Sequence, residues 1–339
     1  MKNKTFIIAE IGQAHDGSLG VLHSYIDALS TTGVDAIKFQ THIAQAESSE
    51  YEPFRVKFSY EDDTRYDYWK RMEFTLPQWQ EIKQHCDDVG LEFMSSPFSN
   101  MAVDWLEEIG IKRYKIGSGE VSNFLMLEKI AKTKKDIILS SGMSSFSELD
   151  DTINFLKTFG YNKENLAVLQ CTTKYPTQAQ DIGLNVLQEL KDKYDLKVGL
   201  SDHSSSIIPS LSAVSLGAEI LEFHAIFDKN MFGPDNKSSL TIDEIKTLVE
   251  GVRFIETSLE HKIDKSDNSN FKELKNIFEK SLALNKDMKK GDIITFEDLE
   301  AKKPANYGIS AKEYKSVIGK KLIKDIKKWD FLKEENIDE

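Results

Sequence analysis

Short runs of apolar residues alternate with amphipathic segments along about the first 260 residues of the chain. Eight of these runs are typical of strands that are buried on both faces of a parallel sheet, at residues 6–11, 36–40, 92–97, 113–118, 136–141, 166–171, 197–202 and 220–225. The segments between them carry the apolar spacing of helices, as at residues 19–29 and 207–216. The pattern predicts one strand–helix unit that is repeated eight times.

The starts of three predicted helices carry a second signal. In each case a Ser or Thr precedes a Glu or Gln by three residues, which is the pattern of a capping box, as in Thr75 with Gln78, Ser145 with Glu148, and Thr241 with Glu244. Strands that alternate with helices indicate a parallel sheet, and eight such units favour a closed (β/α)8 TIM barrel. An open doubly wound sheet would more often carry a Gly-rich turn after the first strand, and EIGQAH at residues 10–15 is not one. The predicted fold class is therefore α/β, a TIM barrel.

The pattern changes near residue 261. We predict a catalytic barrel at residues 1–262, a polar linker at 263–280 that includes a short helix, and a small Lys-rich domain of short strands and turns at 281–339. About 60 residues make only a marginal core. The small domain is therefore expected to pack on another part of the protein.

Composition narrows the class of protein. The 339 residues carry a net charge of −12, which argues against nucleic acid or an anionic membrane as the main partner. No apolar run approaches the roughly 20 residues of a membrane span, and the two cysteines, Cys86 and Cys171, suit a reducing compartment. We expect a cytoplasmic protein.

The longest predicted loop lies between Thr41 and Thr75 and is rich in aromatic residues. It also contains Arg55, Arg65 and Arg71. A long loop on the catalytic face is usually a lid or a binding loop, whereas its Tyr and Trp residues would equally suit a dimer contact. Both interpretations remain open from the sequence.

Polar residues end the predicted strands, and the active site of a TIM barrel lies at the carboxyl ends of its strands. Lysines and small hydroxyl residues, together with backbone N–H groups exposed at Gly117, Gly119 and Gly142, are what a phosphate group needs. Ser and Thr commonly end strands, and a Lys at a strand end is often a solvated charge at the rim. Each residue alone is therefore weak evidence for a binding site. As a set they indicate a phosphorylated anion and an acid–base carboxylate, with the residues Glu10, His15, Lys38, Gln40, Ser95, Ser96, Lys115, Ser118, Glu120, Ser140, Ser141, Cys171, Thr172, Thr173, Ser201, Asp202, His203, Glu222 and His224.

Two histidines follow neighbouring strands of one βαβ unit, His203 and His224. Parallel strands point the same way, so both imidazoles emerge at one edge of the sheet. With Asp202, Glu222 and Asp235 nearby, they could ligate a divalent metal. The alternative is that each histidine satisfies a local hydrogen bond.

Motifs along nearly the whole chain resemble the sialic acid synthase family. They are AEIG at 9–12, KFQ at 38–40, YKIGSGE at 114–120, LSSGM at 139–143, CTTKYP at 171–176, GLSDH at 199–203 and GPD at 233–235, while KKP at 302–304 and IGK at 318–320 resemble its C-terminal SAF domain, an antifreeze-like β-clip fold. The resemblance implies an EC 2.5.1-type transferase that condenses phosphoenolpyruvate with an N-acylated amino sugar to give a nonulosonic (sialic-type) acid and phosphate. It also implies a divalent cation, typically Mn²⁺ with Mg²⁺ or Co²⁺ as alternatives, and a domain-swapped homodimer.

The resemblance also implies roles for individual residues. His203 and His224 would bind the metal, and phosphoenolpyruvate would be held by Lys38, Ser96, Lys115, Ser118, Ser140 and Ser201, with Thr173 where the family commonly has Asn. The sugar or the reacting carbons would face Glu10, Gln40, Glu120, Tyr175 and Asp235. Glu120, Glu10 and Lys115 are the catalytic candidates, and Glu120 is the expected base for the attacking water.

Two departures from the family pattern leave the sugar open. Lys303 stands where the family commonly has an Arg over the acetamido group of the sugar, and Lys lacks the planar fork of Arg. Gln13 and Ala14 replace the usual Asn beside His15. N-acetylmannosamine and diacetamido-trideoxyhexoses both remain candidates.

Two other classes of function remain. A barrel aldolase could use Lys115 as a Schiff base with pyruvate and an amino sugar. A non-catalytic sugar-binding barrel would require a broken site, and the motifs show no break.

Overall fold

Eight parallel strands close into a barrel in the computed structural model, which describes residues 4–56 and 58–338. They are β1 (Phe6–Glu10), β2 (Ala36–Thr41), β3 (Glu92–Pro97), β4 (Arg113–Ile116), β5 (Asp136–Ser140), β6 (Leu166–Cys171), β7 (Lys197–Asp202) and β8 (Ile220–Ile226). Strand β1 pairs in parallel with both β2 and β8, which closes the sheet, and the two-residue β9 (Leu240–Thr241) pairs in parallel with the end of β8. The predicted TIM barrel is confirmed.

Helices connect and follow the strands of the barrel. They are α1 (Leu19–Ser30), α2 (Ala44–Glu47), α3 (Arg65–Met72), α4 (Leu76–Asp88), α5 (Asn100–Ile109), α6 (Phe124–Thr133), α7 (Phe146–Thr158), α8 (Leu184–Tyr194), α9 (Ile208–Ser215) and α10 (Ile242–Glu260). The three predicted capping boxes begin α4, α7 and α10. In the part of the chain that the structure describes, no helix is both long enough and apolar enough to cross a membrane.

The segment predicted as one long loop contains two helices, α2 and α3, so that prediction was wrong in part. Helix α3 begins with a capping box in which Thr64 and Asp67 bond each other's backbone N–H groups. Position N3 of this box is Asp, whereas the capping pattern used for the prediction has Glu or Gln there. The buried residues of α3, which are Tyr68, Trp69 and Met72, pack together on Ala44 of α2.

Three strands are shorter than predicted at their carboxyl ends. Strand β1 ends at Glu10, β4 at Ile116 and β5 at Ser140, whereas the sequence predicted strands to residues 11, 118 and 141. A 3-10 turn at Ser118–Glu120 follows β4 directly. The turn carries Ser118 and Glu120 beyond the sheet edge, where the predicted site lies.

The barrel interior changes from apolar to polar along the strands. An apolar layer at the amino ends is made by Ile8, Ala36, Met94, Ile138, Ala167, Leu169 and Ile220. Side chains two residues apart share a face of a strand, so the next inward positions of these strands hold Glu10, Lys38, Ser96, Ser140 and Glu222. Burial of these polar groups requires that they satisfy one another or a ligand.

The chain divides into two compact units, Met1–His261 and Lys262–Glu339. The second unit contains α11 (Lys272–Phe278) and an antiparallel pair, β10 (Ser281–Leu284) and β11 (Leu299–Lys302). It has an apolar core of its own, formed by Leu282, Leu284, Met288, Ile294, Ile309, Val317, Leu322, Ile326 and Leu332.

Candidate active site

A cavity of about 410 Å³ opens at the carboxyl ends of the strands. This volume is in the usual range for a small-molecule site. The cavity brings together the residues of the barrel that were predicted to bind substrate or metal or to act in catalysis: Glu10, Lys38, Gln40, Ser96, Lys115, Ser118, Glu120, Ser140, Thr173, Tyr175, Ser201, His203, His224 and Asp235. Of the other predicted strand-end residues, Cys171 and Glu222 also line it, whereas His15, Ser95, Ser141, Thr172 and Asp202 do not. Lys303 belongs to the second unit and is not among the residues that line it.

Two buried lysines lie at the bottom of the cavity. Lys38 Nζ lies 2.7 Å from Glu10 Oε1, and Lys115 Nζ lies 3.0 Å from Glu222 Oε1 and donates to Ser140 Oγ at 2.7 Å. Burial lowers the pKa of Lys38, but Glu10 and Glu222 outweigh burial and raise that pKa. Burial likewise raises the pKa of Glu10, but Lys38, His224 and Lys115 outweigh burial and hold it well below its usual range. The site therefore keeps ammonium and carboxylate charges out of water.

Glu222 lies between these two lysines. From the sequence it was predicted only as a carboxylate near the two histidines. Its Oε1 accepts from Ser201 Oγ at 3.1 Å and lies 3.7 Å from Lys38 Nζ, while its buried Oε2 has no partner among the described residues. Thr173 Oγ1 is also buried without a partner there. The spacing of Glu222 two residues before His224 was the signal that both side chains face the interior.

Close backbone approach at Gly142 shapes the wall beside the lysines. A Cβ atom at Gly142 would collide with Ser118 Oγ and would lie 2.7 Å from Thr173 Oγ1. Only glycine fits this position without a shift of the neighbouring side chains. The absence of a side chain at Gly142 therefore leaves room for the hydroxyl groups of Ser118 and Thr173 in the wall of the cavity that Lys38 and Lys115 also line.

The two histidines are neighbours in the cavity. The ring centroids of His203 and His224 are 5.3 Å apart, and His224 Nε2 lies 3.5 Å from Glu10 Oε2. His203 Nδ1 lies 3.1 Å from the Thr172 carbonyl oxygen and 4.0 Å from Cys171 Sγ. An Nδ1–H that donates to Thr172 leaves Nε2 of His203 for a ligand.

The protonation of these histidines follows from their surroundings. Burial is the main cause that lowers the pKa of His224, which favours the neutral ring. Burial also lowers the pKa of His203, but Cys171 and the Thr172 carbonyl outweigh burial and raise it to about 9. A metal at His203 would therefore have to displace a proton.

Glu120 stands on the 3-10 turn at the cavity rim. Its Oε2 accepts from Asn123 Nδ2 at 2.7 Å. Burial raises the pKa of Glu120, and the Asn123 bond only partly opposes that effect. A carboxylate with a raised pKa is a stronger base near neutral pH.

Residues of the predicted loop reach into the cavity. Arg55 Nη2 lies 3.2 Å from Asp235 Oδ1, and its guanidinium carbon lies 4.3 Å from the centroid of the Tyr175 ring. Phe58, Arg65, Tyr68 and Trp69 also line the cavity. These positions match a binding loop, and no pattern in the loop sequence had marked Arg55 out from Arg65 or Arg71.

Comparisons with known proteins agree with this geometry. The NeuB family model matches residues 25–264, and the SAF domain model matches residues 279–337. N,N'-diacetyllegionaminic acid synthase of Campylobacter jejuni is 39% identical over 334 residues, which cover 98% of this chain and 99% of that protein. Pseudaminic acid synthase of Campylobacter jejuni strain 81-176 is 35% identical, with 98% of this chain and 96% of that protein covered. The crystal structure of N-acetylneuraminic acid (sialic acid) synthetase from Leptospira borgpetersenii, in complex with citrate, has a TM-score of 0.70 at 30% identity, covering 80% of this chain and 90% of that one.

Proposed function

The chain belongs to the NeuB family, and on this premise we propose that it is a nonulosonic acid synthase. It condenses phosphoenolpyruvate with an N-acetylmannosamine-type or diacetamido-trideoxyhexose aldose and releases phosphate. The family resemblance found in the sequence is confirmed by the family match and by relatives that are themselves synthases of this kind.

The observation that carries the proposal is the pair of buried ammonium groups of Lys38 and Lys115. They lie beside small hydroxyl groups in one cavity, with Glu120 at its rim. Phosphoenolpyruvate has a carboxylate and a phosphate close together, so it requires two cationic contacts in a site of this size. Charge-assisted hydrogen bonds to these lysines would hold both ends of the molecule.

The proposed reaction uses the charged groups of Glu120, Lys38 and Lys115. The C3 carbon of phosphoenolpyruvate attacks the aldehyde carbon of the open-chain sugar, and the aldehyde oxygen takes up a proton to become a hydroxyl group. Water adds at C2 and gives one proton to Glu120, which replaces the proton taken up by the aldehyde oxygen. The tetrahedral carbon then expels phosphate with the bridging oxygen, the second proton of water leaves with the phosphate, and a keto acid remains. Lys38 and Lys115 stabilise the negative charge on the departing phosphate.

Lys115 has contacts that suit this role better than Schiff-base chemistry. A Schiff base needs a neutral amine as nucleophile, whereas Lys115 Nζ lies 3.0 Å from the Glu222 carboxylate and also donates to Ser140. The alternative of a lysine Schiff-base aldolase therefore finds no support.

The imidazoles of His203 and His224 are suited to a divalent cation, and we propose Mn²⁺, with Mg²⁺ or Co²⁺ as alternatives. No group of three or more His, Cys, Asp or Glu side chains is arranged for a metal within residues 4–56 and 58–338. The protein would therefore supply two nitrogen ligands, and substrate or water the rest. When bound, the cation would supply Lewis-acid polarisation of the aldehyde oxygen.

For the acceptor sugar, we propose a diacetamido-trideoxyhexose before N-acetylmannosamine. The support is the similarity to a synthase of N,N'-diacetyllegionaminic acid over nearly the full length of both proteins. Lys303 in place of the family Arg also supports a sugar contact that differs from that to N-acetylmannosamine.

We also propose a domain-swapped homodimer in the cytoplasm. The family resemblance supports the dimer, and a separate apolar core in the second unit fits a domain that can move as a body to a partner. The cytoplasm is where phosphoenolpyruvate is made, and two cysteines without a disulfide suit that compartment.

Phosphate release tests the proposed function directly. The purified protein is given phosphoenolpyruvate, Mn²⁺ and one aldose at a time, from N-acetylmannosamine to diacetamido-trideoxyhexoses of manno and altro configuration. We expect phosphate release only when an aldose is present, with one equivalent of keto acid formed. Release without an aldose, or none with any of them, would contradict the proposal.

A further inference from the structure

A carboxylate–imidazole pair lines the cavity outside the roles given above. His42 follows β2 directly, and Glu47 ends α2. His42 Nδ1 lies 2.6 Å from Glu47 Oε1, and the side chains are 4% and 7% exposed. A pair so deeply buried is costly to desolvate, so its contacts should explain why it is there.

Aromatic rings hold the imidazole of His42 in one plane. It stacks on Trp69 at 3.9 Å and on Phe98 at 4.6 Å between ring centroids. The ring can therefore turn neither nitrogen away from its neighbour. Nδ1 faces Glu47, and Nε2 lies 3.1 Å from Gln40 Oε1.

The amide of Gln40 has a single orientation that fits these neighbours. Its Nε2 donates to Glu10 Oε1 at 2.6 Å, and an ionised carboxylate only accepts. The carbonyl oxygen of Gln40 must then point the other way, where it meets His42 Nε2 and the amino group of Gln13. A hydrogen on His42 Nε2 donates to the Gln40 oxygen, and Gln13 Nε2 lies 3.2 Å from the same ring nitrogen, while Nδ1 of the ring pairs with the Glu47 carboxylate.

We propose that His42 and Glu47 are positioning residues that make Gln40 a hydrogen-bond donor toward the sugar. Both lone pairs of the Gln40 oxygen are used by His42 and Gln13, and one amino hydrogen is used by Glu10. The remaining N–H of Gln40 is then the group of this side chain that can donate to a substrate in the cavity. The aldose must meet it with an acceptor, either a hydroxyl oxygen or an amide carbonyl oxygen. This inference rests on the proposed function.

The test separates the donor to Gln40 from the packing of the ring. In a His42→Phe/Glu47→Leu double variant the aromatic stack is kept, no buried carboxylate is left unpaired, and the donor to Gln40 is lost. Only Glu10 and Gln13 then hold the amide of Gln40, so its remaining N–H is directed toward the sugar less firmly. We expect the KM for the aldose to rise about tenfold, the effect of one hydrogen bond, with the KM for phosphoenolpyruvate within about twofold of wild type.

A conservative variant supplies the rescue. In His42→Gln the side-chain amide can still donate to Gln40, so the aldose KM should return to within about threefold of wild type, which is about half of the free energy of a tenfold change. His23→Phe is the matched control, because His23 lies in α1 and pairs with His85 rather than with a cavity residue. It should leave both KM values unchanged.

Three results would overturn the inference. They are an unchanged aldose KM in the double variant, an equal rise in both KM values, and no rescue by His42→Gln at an unchanged melting temperature. Should the double variant not fold, Glu47→Gln, which keeps the stacked ring, carries the same expectation for the aldose KM. Phosphate release by the wild-type protein is measured first, so that failure of the proposed function is seen separately.

Discussion

Lys115 Nζ lies 3.0 Å from Glu222 Oε1 at the bottom of the cavity, and the same oxygen lies 3.7 Å from Lys38 Nζ. One carboxylate oxygen thus faces both ammonium groups that are proposed to hold phosphoenolpyruvate. With Glu10, which pairs with Lys38 at 2.7 Å, Glu222 balances the charge of the two lysines in the free protein. Phosphoenolpyruvate adds further negative charge, so it has to bind against these two carboxylates.

The first prediction concerns this carboxylate. Glu222→Gln removes one charge from a buried network, and breaking such a pair costs about 3 kcal/mol. We expect a lower free energy of unfolding in urea and a larger rise in melting temperature on addition of phosphoenolpyruvate than in wild type, because the ligand replaces the lost charge. Glu250→Gln, on the exposed face of α10, is the control and should change neither. An equal ligand-induced rise in both variants would contradict the charge balance described above.

A second prediction separates the two substrates. Lys38→Ala and Lys115→Ala each remove a charge-assisted contact, which is worth about 1.5–3 kcal/mol, or roughly 10- to 100-fold in KM. The KM for phosphoenolpyruvate should rise by that factor, and the KM for the aldose should change much less. Steady-state rates with each substrate varied in turn give both values, and an unchanged KM for phosphoenolpyruvate would disprove the anion site.

The third prediction concerns the histidine pair. Treatment with a chelator should abolish turnover, and Mn²⁺ should restore it. His203→Ala should weaken Mn²⁺ binding, measured by calorimetry, while the far-UV circular dichroism of the barrel stays the same. Full activity in exhaustively stripped protein would rule out the metal.

A fourth prediction follows from Glu120. Burial raises its pKa above the usual value of 4.5, and a base acts in its deprotonated form. The rate at saturating substrates should therefore rise with pH through that raised pKa, with an acid limb above pH 4.5. Glu120→Gln should lower kcat by about 10²–10⁴-fold and remove the limb from the residual rate. An unchanged limb in the variant would assign it to another group.

Much of the fold was predictable because side chains on one face repeat every two residues in a strand and every 3.6 residues in a helix. The eight strands, the closed barrel and the helix starts at Thr75, Ser145 and Thr241 all follow from apolar spacing and capping chemistry. The ends of β1, β4 and β5 were predicted one or two residues too late. Small polar residues such as Ser118 and Ser141 fit a strand end as well as the turn that follows it.

The site was predictable where strand position decides it. Glu10, Lys38, Lys115 and His224 lie at the carboxyl ends of strands, and a closed barrel brings those ends together. His42, Glu47 and Arg55 were missed because they lie after β2, where position depends on tertiary packing. The stack of His42 between Trp69 and Phe98 joins residues from separate segments and leaves no periodic signal in the sequence.

In the proposed reaction, water adds at C2 of phosphoenolpyruvate and phosphate leaves with the bridging oxygen. Phosphoenolpyruvate labelled with ¹⁸O at the bridging position, incubated with the protein, Mn²⁺ and an accepted aldose, tests it by mass spectrometry of the released phosphate. We predict that the phosphate carries the label and that the nine-carbon keto acid takes its C2 oxygen from water. Unlabelled phosphate, with the label retained in the keto acid, would contradict the proposed addition of water at C2.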